Sequence, residues 1–174
     1  GEVVRAHTTA AEGLPHHKAD VLFKEGNRIV GKAQMKSVNP EAYGGKGIAK
    51  QTTYLSNPKY RGMVKVVNKG HEDQIKELAE KGAKRGNIYS DDYADTAKNV
   101  TGELKRGNVT SHGTTYEESI RAAKNPSAYA LQTELKVMGR EMAVTGAQAA
   151  AAGAVIGGAI SIANNAFAYS KGEL

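Results

Sequence analysis

The chain of 174 residues contains no cysteine, so disulfides and thiolate zinc sites are excluded. It has no Trp and only two Phe, so its core must come mainly from Ile, Val, Leu, Ala, Met and Tyr. No basic-then-apolar leader is visible: the chain opens Gly1-Glu2-Val3-Val4-Arg5, without a starting Met. It stops at Ser170-Lys171-Gly172-Glu173-Leu174, where a helix could continue, and both ends read as those of a fragment. The compartment expected from these absences is a reducing one, the cytoplasm.

Charge is present and unevenly spread. The net charge is +6, yet residues 1–70 hold 12 Lys/Arg against 5 Asp/Glu, while the remainder holds 12 against 13. All the positive excess therefore lies in the first part of the chain. A polyanion is the natural partner for such a stretch, because Lys and Arg displace the counterions condensed on phosphates. A merely solubilising surface is the alternative.

Four regions follow one another. Glu2 to Ala11 reads as a short helix that packs Val3, Val4 and Ala6 and stops at Gly13 and Pro15. Ala19 to Val67 has strand character. Val21-Leu22-Phe23 is an apolar run and Glu25-Gly26-Asn27 a turn. Arg28 to Lys36 then alternates, with Ile29, Gly31, Ala33 and Met35 on one face and Val30, Lys32, Gln34 and Lys36 on the other. A Gly- and Lys-rich loop (Tyr43-Gly44-Gly45-Lys46-Gly47) leads to a short helix through Gln51 and Tyr54, and Gly62 to Val67 forms a third strand. From Glu72 to Pro126 the chain is polar and mostly helical. Ile75, Leu78 and Ala79 mark a helix that Gly82 interrupts, a second helix spans Asp92 to Lys105, and Thr114-Thr115-Tyr116-Glu117 opens a third. Residues 128–174 are an Ala- and Gly-rich helical stretch, uncharged from Met142 to Ser170. The expected division is 1–127 and 128–174.

Phosphodiester hydrolysis needs a metal that binds the scissile phosphate and acidifies a water, and a cation for the developing charge. Magnesium takes one or two carboxylates, other oxygens and water. A hairpin supplies such a set economically. An acid stands at the start of one strand, and an oxygen ligand and a Lys stand two residues apart on the next, where they share a face. Asp20 with Gln34-Met35-Lys36 has this spacing. The local text Ala19-Asp20-Val21-Leu22-Phe23 … Ala33-Gln34-Met35-Lys36-Ser37 resembles the PD-(D/E)XK, restriction-endonuclease-like nucleases, with Gln34 where Glu or Asp is commoner.

The resemblance covers roughly residues 1–70. It implies an α/β fold, with a mixed sheet flanked by helices and a C-terminal helical extension, and a metal-dependent nuclease that takes DNA in preference to RNA. It also implies Mg2+ or Mn2+ held by Asp20, Gln34 and Glu2, with Lys36 as the catalytic cation. Glu2 stands where the family often has a Glu on a preceding helix, and Glu12 is the fallback. Lys32, Lys46, Lys50 and Gln51 are the expected nucleic-acid contacts. Gln51-Thr52-Thr53-Tyr54 is one residue short of the Gln-x-x-x-Tyr pattern of the exonuclease branch. Against this stands a solvated hairpin face with Tyr54 as plain core.

Other features carry less. His16-His17 reads as solvated, and His7 has no ligand-like spacing. The Gly44-Gly45-Lys46-Gly47 loop lacks the Gly-Lys-Ser/Thr ending of a phosphate loop and is either a mobile basic loop or a flexible connection. Residues 142–170 are long enough to span a bilayer at about 1.5 Å per residue. Their Ala and Gly content and the Asn164-Asn165 pair argue against insertion. The small-residue stripe of Gly146, Ala150, Gly153 and Gly157 favours close packing against a helix partner or a second copy. A glycine-zipper segment behind such a core is similar to restriction-like proteins of bacterial and prophage origin. Two other roles stay open: a nucleic-acid-binding or assembly module without catalysis, and the nuclease cargo of a delivered toxin, which would have an inhibitor or immunity protein.

Overall fold

The structure, a computed structural model, describes residues 4–9, 13, 18–103, 105–106, 109–110, 113 and 115–125. Strands β1 (Val4–Thr8), β2 (Val21–Glu25) and β3 (Arg28–Met35) form an antiparallel meander. The helical turn α1 (Ala42–Gly45) and helix α2 (Gly47–Leu55) then carry the chain to β4 (Val64–Val66), which lies parallel to β3. Helices α3 (Glu72–Ala83) and α4 (Ser90–Asn99) lead to β5 (Val100–Thr101), parallel to β4. The sheet order is β1-β2-β3-β4-β5. A separate ribbon pairs β6 (Lys105–Arg106) with β7 (Val109–Thr110), and α5 (Tyr116–Lys124) follows. The fold is thus α/β, a mixed sheet with flanking helices.

Three expectations are corrected. The first segment is a strand rather than a helix: Val4 to Thr8 pair with Glu25 to Val21. Val4 and Thr8 are β-branched, and the ladder satisfies backbone groups that an isolated helix so short could not hold together. Gly82 does not interrupt its helix. A Cβ there would fall 2.5 Å from the Tyr93 ring, so glycine is what lets α3 and α4 touch. The helix expected to reach Lys105 ends at Asn99, where the chain joins the sheet as β5.

The β2–β3 hairpin closes through Gly26 and Asn27, with Gly26 at φ 57°, the conformation such a two-residue turn needs at its first position. An Arg28–Glu25 ion pair spans it. Phe23 faces Gly31 but Lys24 faces Ile29, so Val30 is an extra residue, a β-bulge. The bulge resets the alternation. Val30 packs with the Met35 side of the sheet rather than with Lys32, and Ile29 is left 46% exposed.

Alternation elsewhere builds two apolar layers. Val21, Phe23, Ala33, Met35 and Val66 cluster on one face. On the other, Val67 packs with Val38, Ile48, Leu55 and Ile75 from the loop after β3, α2 and α3, while Ala19, Leu22, Tyr60 and Met63 form a third cluster. Burying a side chain such as Phe23 or Leu55 contributes about 1.5–3 kcal/mol. Buried Asn68, just after β4, ties three elements together. Its Oδ1 accepts from Ser37 Oγ (2.6 Å) and the Val38 amide (3.2 Å), and its Nδ2 donates to Ser119 Oγ on α5 (2.9 Å). Helix α5 opens with a capping box between Thr115 and Glu118, as its sequence announces. Among the described residues no helix is long and apolar enough to cross a membrane. The 142–170 stripe and the boundary at 127/128 lie outside the described residues.

Candidate active site

Asp20 enters at the start of β2, where both neighbouring strands grip its backbone. Its amide donates to Ala33 O and its carbonyl accepts from the Thr9 amide, each at 2.9 Å. Its Oδ2 then accepts the Met35 amide at 2.9 Å. Met35 itself is buried in the apolar cluster. Gln34 and Lys36, one residue either side, therefore turn to the opposite face, the one that α2 covers. The Lys36 Nζ lies 4.4 Å from the centroid of the Tyr54 ring on α2.

Gln34 and Lys36 are buried side chains, 6% and 8% exposed. Burial pushes the Asp20 carboxyl above its ordinary range, against the opposing pull of the Met35 amide and the Lys36 charge. Burial likewise pushes the Lys36 ammonium down; Asp20 resists this and the like charge of Lys59 adds to it. Both members of the pair are thus drawn toward their neutral forms, because desolvation outweighs their attraction. Such displacement is a mark of functional sites more than of ion pairs built for stability. The Gln34 Oε1 is buried with no hydrogen-bond partner among the described residues. An unmade bond of this kind costs about 1–3 kcal/mol and calls for an explanation.

Two further residues complete the cluster and carry no sequence signal of their own. After α2, Asn57 caps a single 3-10 turn that begins at Pro58, and its side chain accepts the Lys59 amide. This turn brings Tyr60 under the sheet, where its hydroxyl meets that of Tyr54 at 2.7 Å. The Lys59 Nζ stands over both rings, 5.6 Å from the Tyr54 centroid and 4.9 Å from that of Tyr60. Burial and the Tyr60 bond push the Tyr54 hydroxyl up to about 12, and burial raises Tyr60 as well. Both tyrosines feel the Asp20 charge. Asn57-Pro58 is a turn signal, passed over in the sequence reading, and it does not announce the chemistry of the residues it carries.

The other expected residues fall in several places. Gln51 is 3% exposed, and its Nε2 donates to the Lys36 carbonyl at 2.7 Å; it clamps the Lys36 backbone from beneath and does not present itself to solvent. Its Oε1 is also buried and without a partner among the described residues. Lys32, Lys46 and Lys50 are exposed. Lys50 lies 5.8 Å from the Tyr43 ring centroid. The loop before α2 is a tight turn, with Tyr43, Gly44 and Gly45 all in the left-handed region at φ 55°, 65° and 81°. Glycine tolerates that conformation, whereas Tyr43 is strained by it. Glu2, Glu12, His16 and His17 lie outside the described residues, and β1 pairs His7 with Leu22 through its backbone.

Among the described residues no three His, Asp or Glu side chains gather as a metal site. The oxygens the site does offer are the Asp20 carboxylate and the unsatisfied amide oxygen of Gln34. Both are hard donors, a set that suits a magnesium or manganese ion keeping several waters. No family model, no curated protein and no solved structure matches this chain.

Proposed function

We propose that the chain is a metal-dependent nuclease of restriction-endonuclease-like organisation, acting on phosphodiesters and on DNA in preference to RNA. The observations that carry this reading are the buried, unpaired Oε1 of Gln34 and the desolvation of Asp20 and of Lys36, which shares the face of β3 with Gln34. A fold that gains nothing from such an arrangement keeps it for chemistry. Asp20 and Gln34, with Glu2, would hold Mg2+ or Mn2+, which supplies Lewis acidity toward the phosphate and toward a bound water. The Met35 amide fixes the Asp20 carboxylate, and Gln51 fixes the carbonyl of Lys36. Lys36, pressed against Tyr54, sets its ammonium toward the charge that develops on the phosphoryl oxygens, where a desolvated cation acts strongly.

One observation favours a second reading, a nucleic-acid-binding module without catalysis. Among the described residues Asp20 is the only acid whose charge reaches Lys36, Tyr54 and Tyr60. Cleavage of supercoiled plasmid and of an RNA transcript, with and without Mg2+, separates the two. Wild type should cut in a metal-dependent way, and Lys36→Ala should lose all activity while staying folded. Cutting that survives Lys36→Ala would move the chemistry elsewhere.

A further inference from the structure

Asp20 and Lys36 account for one carboxylate and one ammonium, but the cluster holds a second ammonium. The Nζ atoms of Lys36 and Lys59 both approach the Tyr54 ring, at 4.4 and 5.6 Å from its centroid, so the two are no more than about 10 Å apart. They are close enough for Lys59 to depress Lys36. Among the described residues no carboxylate pairs with Lys59. Its backbone is fixed by the Asn57 cap, and its ammonium rests over two rings that are joined through their hydroxyls. A cation over an aromatic face is drawn to it weakly at an exposed site, which biases its position without neutralising it. The result is a held, uncompensated positive charge beside the site, in a cluster with two cations and one anion.

We propose that Lys59 is a phosphate-binding residue, seating a backbone phosphate of the substrate strand next to the one that lies at Asp20 and Lys36. The proposal rests on the nuclease reading for the identity of the neighbouring phosphate. The chemistry of the residue points to this ligand: a phosphodiester brings a negative charge to an ammonium that no carboxylate pairs with among the described residues. The half-exposed Tyr54 ring offers the adjoining base or sugar an apolar surface. A backbone phosphate is read without regard to sequence, so Lys59 contributes affinity and register and no base preference.

The test uses the whole chain and a labelled oligonucleotide, single-stranded and as a duplex. Binding is measured in EDTA over a salt series of about 50 to 200 mM, and cleavage in Mg2+. Lys59→Gln should weaken binding and reduce the slope of log K against log salt by about 0.7 for the single strand or about 0.9 for the duplex. It should raise KM by a larger factor than it lowers kcat, and Lys59→Arg should restore both. Lys84→Gln, an exposed lysine at the end of α3, should leave the slope in place. An unchanged slope in Lys59→Gln, or an equal loss in Lys84→Gln, overturns the proposal while leaving the nuclease reading intact. A reduced slope in a protein that never cleaves supports the phosphate seat and overturns the hydrolytic reading. Absence of all binding by wild type overturns both.

Discussion

The carboxylate of Asp20 and the amide of Met35 are joined at 2.9 Å across a separation of fifteen residues. This bond decides where the acid points. Met35 is anchored in the apolar layer, so its amide is a fixed donor, and the residues either side of it, Gln34 and Lys36, must share the opposite face. One hydrogen bond thereby ties the acid to the strand that carries the amide and the ammonium, and the charges of Asp20 and Lys36 act on one another.

Asp20→Asn and Asp20→Ala should accordingly differ. Asparagine keeps an oxygen for the Met35 amide and removes a charge that burial disfavours. Its thermal midpoint should equal or exceed that of wild type, with cleavage lost. Alanine leaves the Met35 amide unpaired and should cost about 1–3 kcal/mol. The pH dependence has a definite sign. The folded carboxyl titrates above its ordinary 3.8, so the folded protein holds its proton longer than the unfolded chain does. The contribution of Asp20 to stability is full below 3.8 and is lost as pH rises through the folded value. Melting in metal-free buffer should show wild type and Asp20→Asn converging in acid and separating, with the variant higher, as pH rises. A gap that widens in acid instead would mean that the carboxylate is stabilised by its surroundings.

How much of this was legible follows from how local each signal is. The Gln34-Met35-Lys36 alternation was readable because a strand has a period of two, and the capping pattern at Thr115 because a helix start is written in four residues. The β1 segment was misread because Val4 and Ala6 suit either a helix or a strand, and the choice fell to pairing with β2. Val30 was assigned to the wrong face because a bulge is a property of two strands together. Lys59 and Tyr60 could not be found at all. Their relation to Lys36 exists only once α2 has folded over the sheet, and Asn57-Pro58 announces a turn without saying what it approaches.

Gln34→Glu separates a metal ligand from a buried amide. In EDTA the new carboxylate is buried where the Gln34 Oε1 has no partner among the described residues, and the midpoint should fall by an amount equivalent to about 1–3 kcal/mol or more. On adding Mg2+ or Mn2+ the variant should gain more stability than wild type gains, since binding to the folded state alone raises its stability. Metal titrations followed by thermal melts give both numbers. Equal gains in the two proteins would remove Gln34 from the ligand set.

Lys32, Lys46 and Lys50 are exposed and away from the apolar layers, so neutralising all three to Gln should leave the midpoint within about 0.5 kcal/mol of wild type. Binding to nucleic acid should weaken together with its salt dependence, by a slope of up to about 2.7 on duplex DNA if each lysine meets one phosphate. Fluorescence anisotropy in a salt series measures it. A weaker interaction with an unchanged slope would mean that the three act on the fold of the Gly-rich turn instead.

The last prediction sets Asp20 against Asp95, the other acid that meets a lysine near the sheet. Lys65 neighbours Gln34 across the β3–β4 pairing, yet its side chain is 1% exposed and its ammonium pairs with Asp95 on α4. Asp95 also accepts from the Gly62 amide and from Asn99 Nδ2, each at 3.0 Å. Every atom of this pair is used, whereas the Asp20 site leaves Gln34 Oε1 unmet. Removing one partner of a buried pair strands the other, so Asp95→Ala should cost about 3–5 kcal/mol. Lys65→Met should cost less, within about 2 kcal/mol, because Asp95 is 16% exposed and keeps two donors. Denaturant melts of Asp95→Ala, Lys65→Met and Asp20→Asn, read beside cleavage, distinguish the roles. Loss of stability belongs to Asp95 and loss of activity to Asp20. A stable Asp95→Ala protein would show that the buried pair contributes nothing to the fold, and Asp95 would then stand beside Asp20 as a candidate for the chemistry.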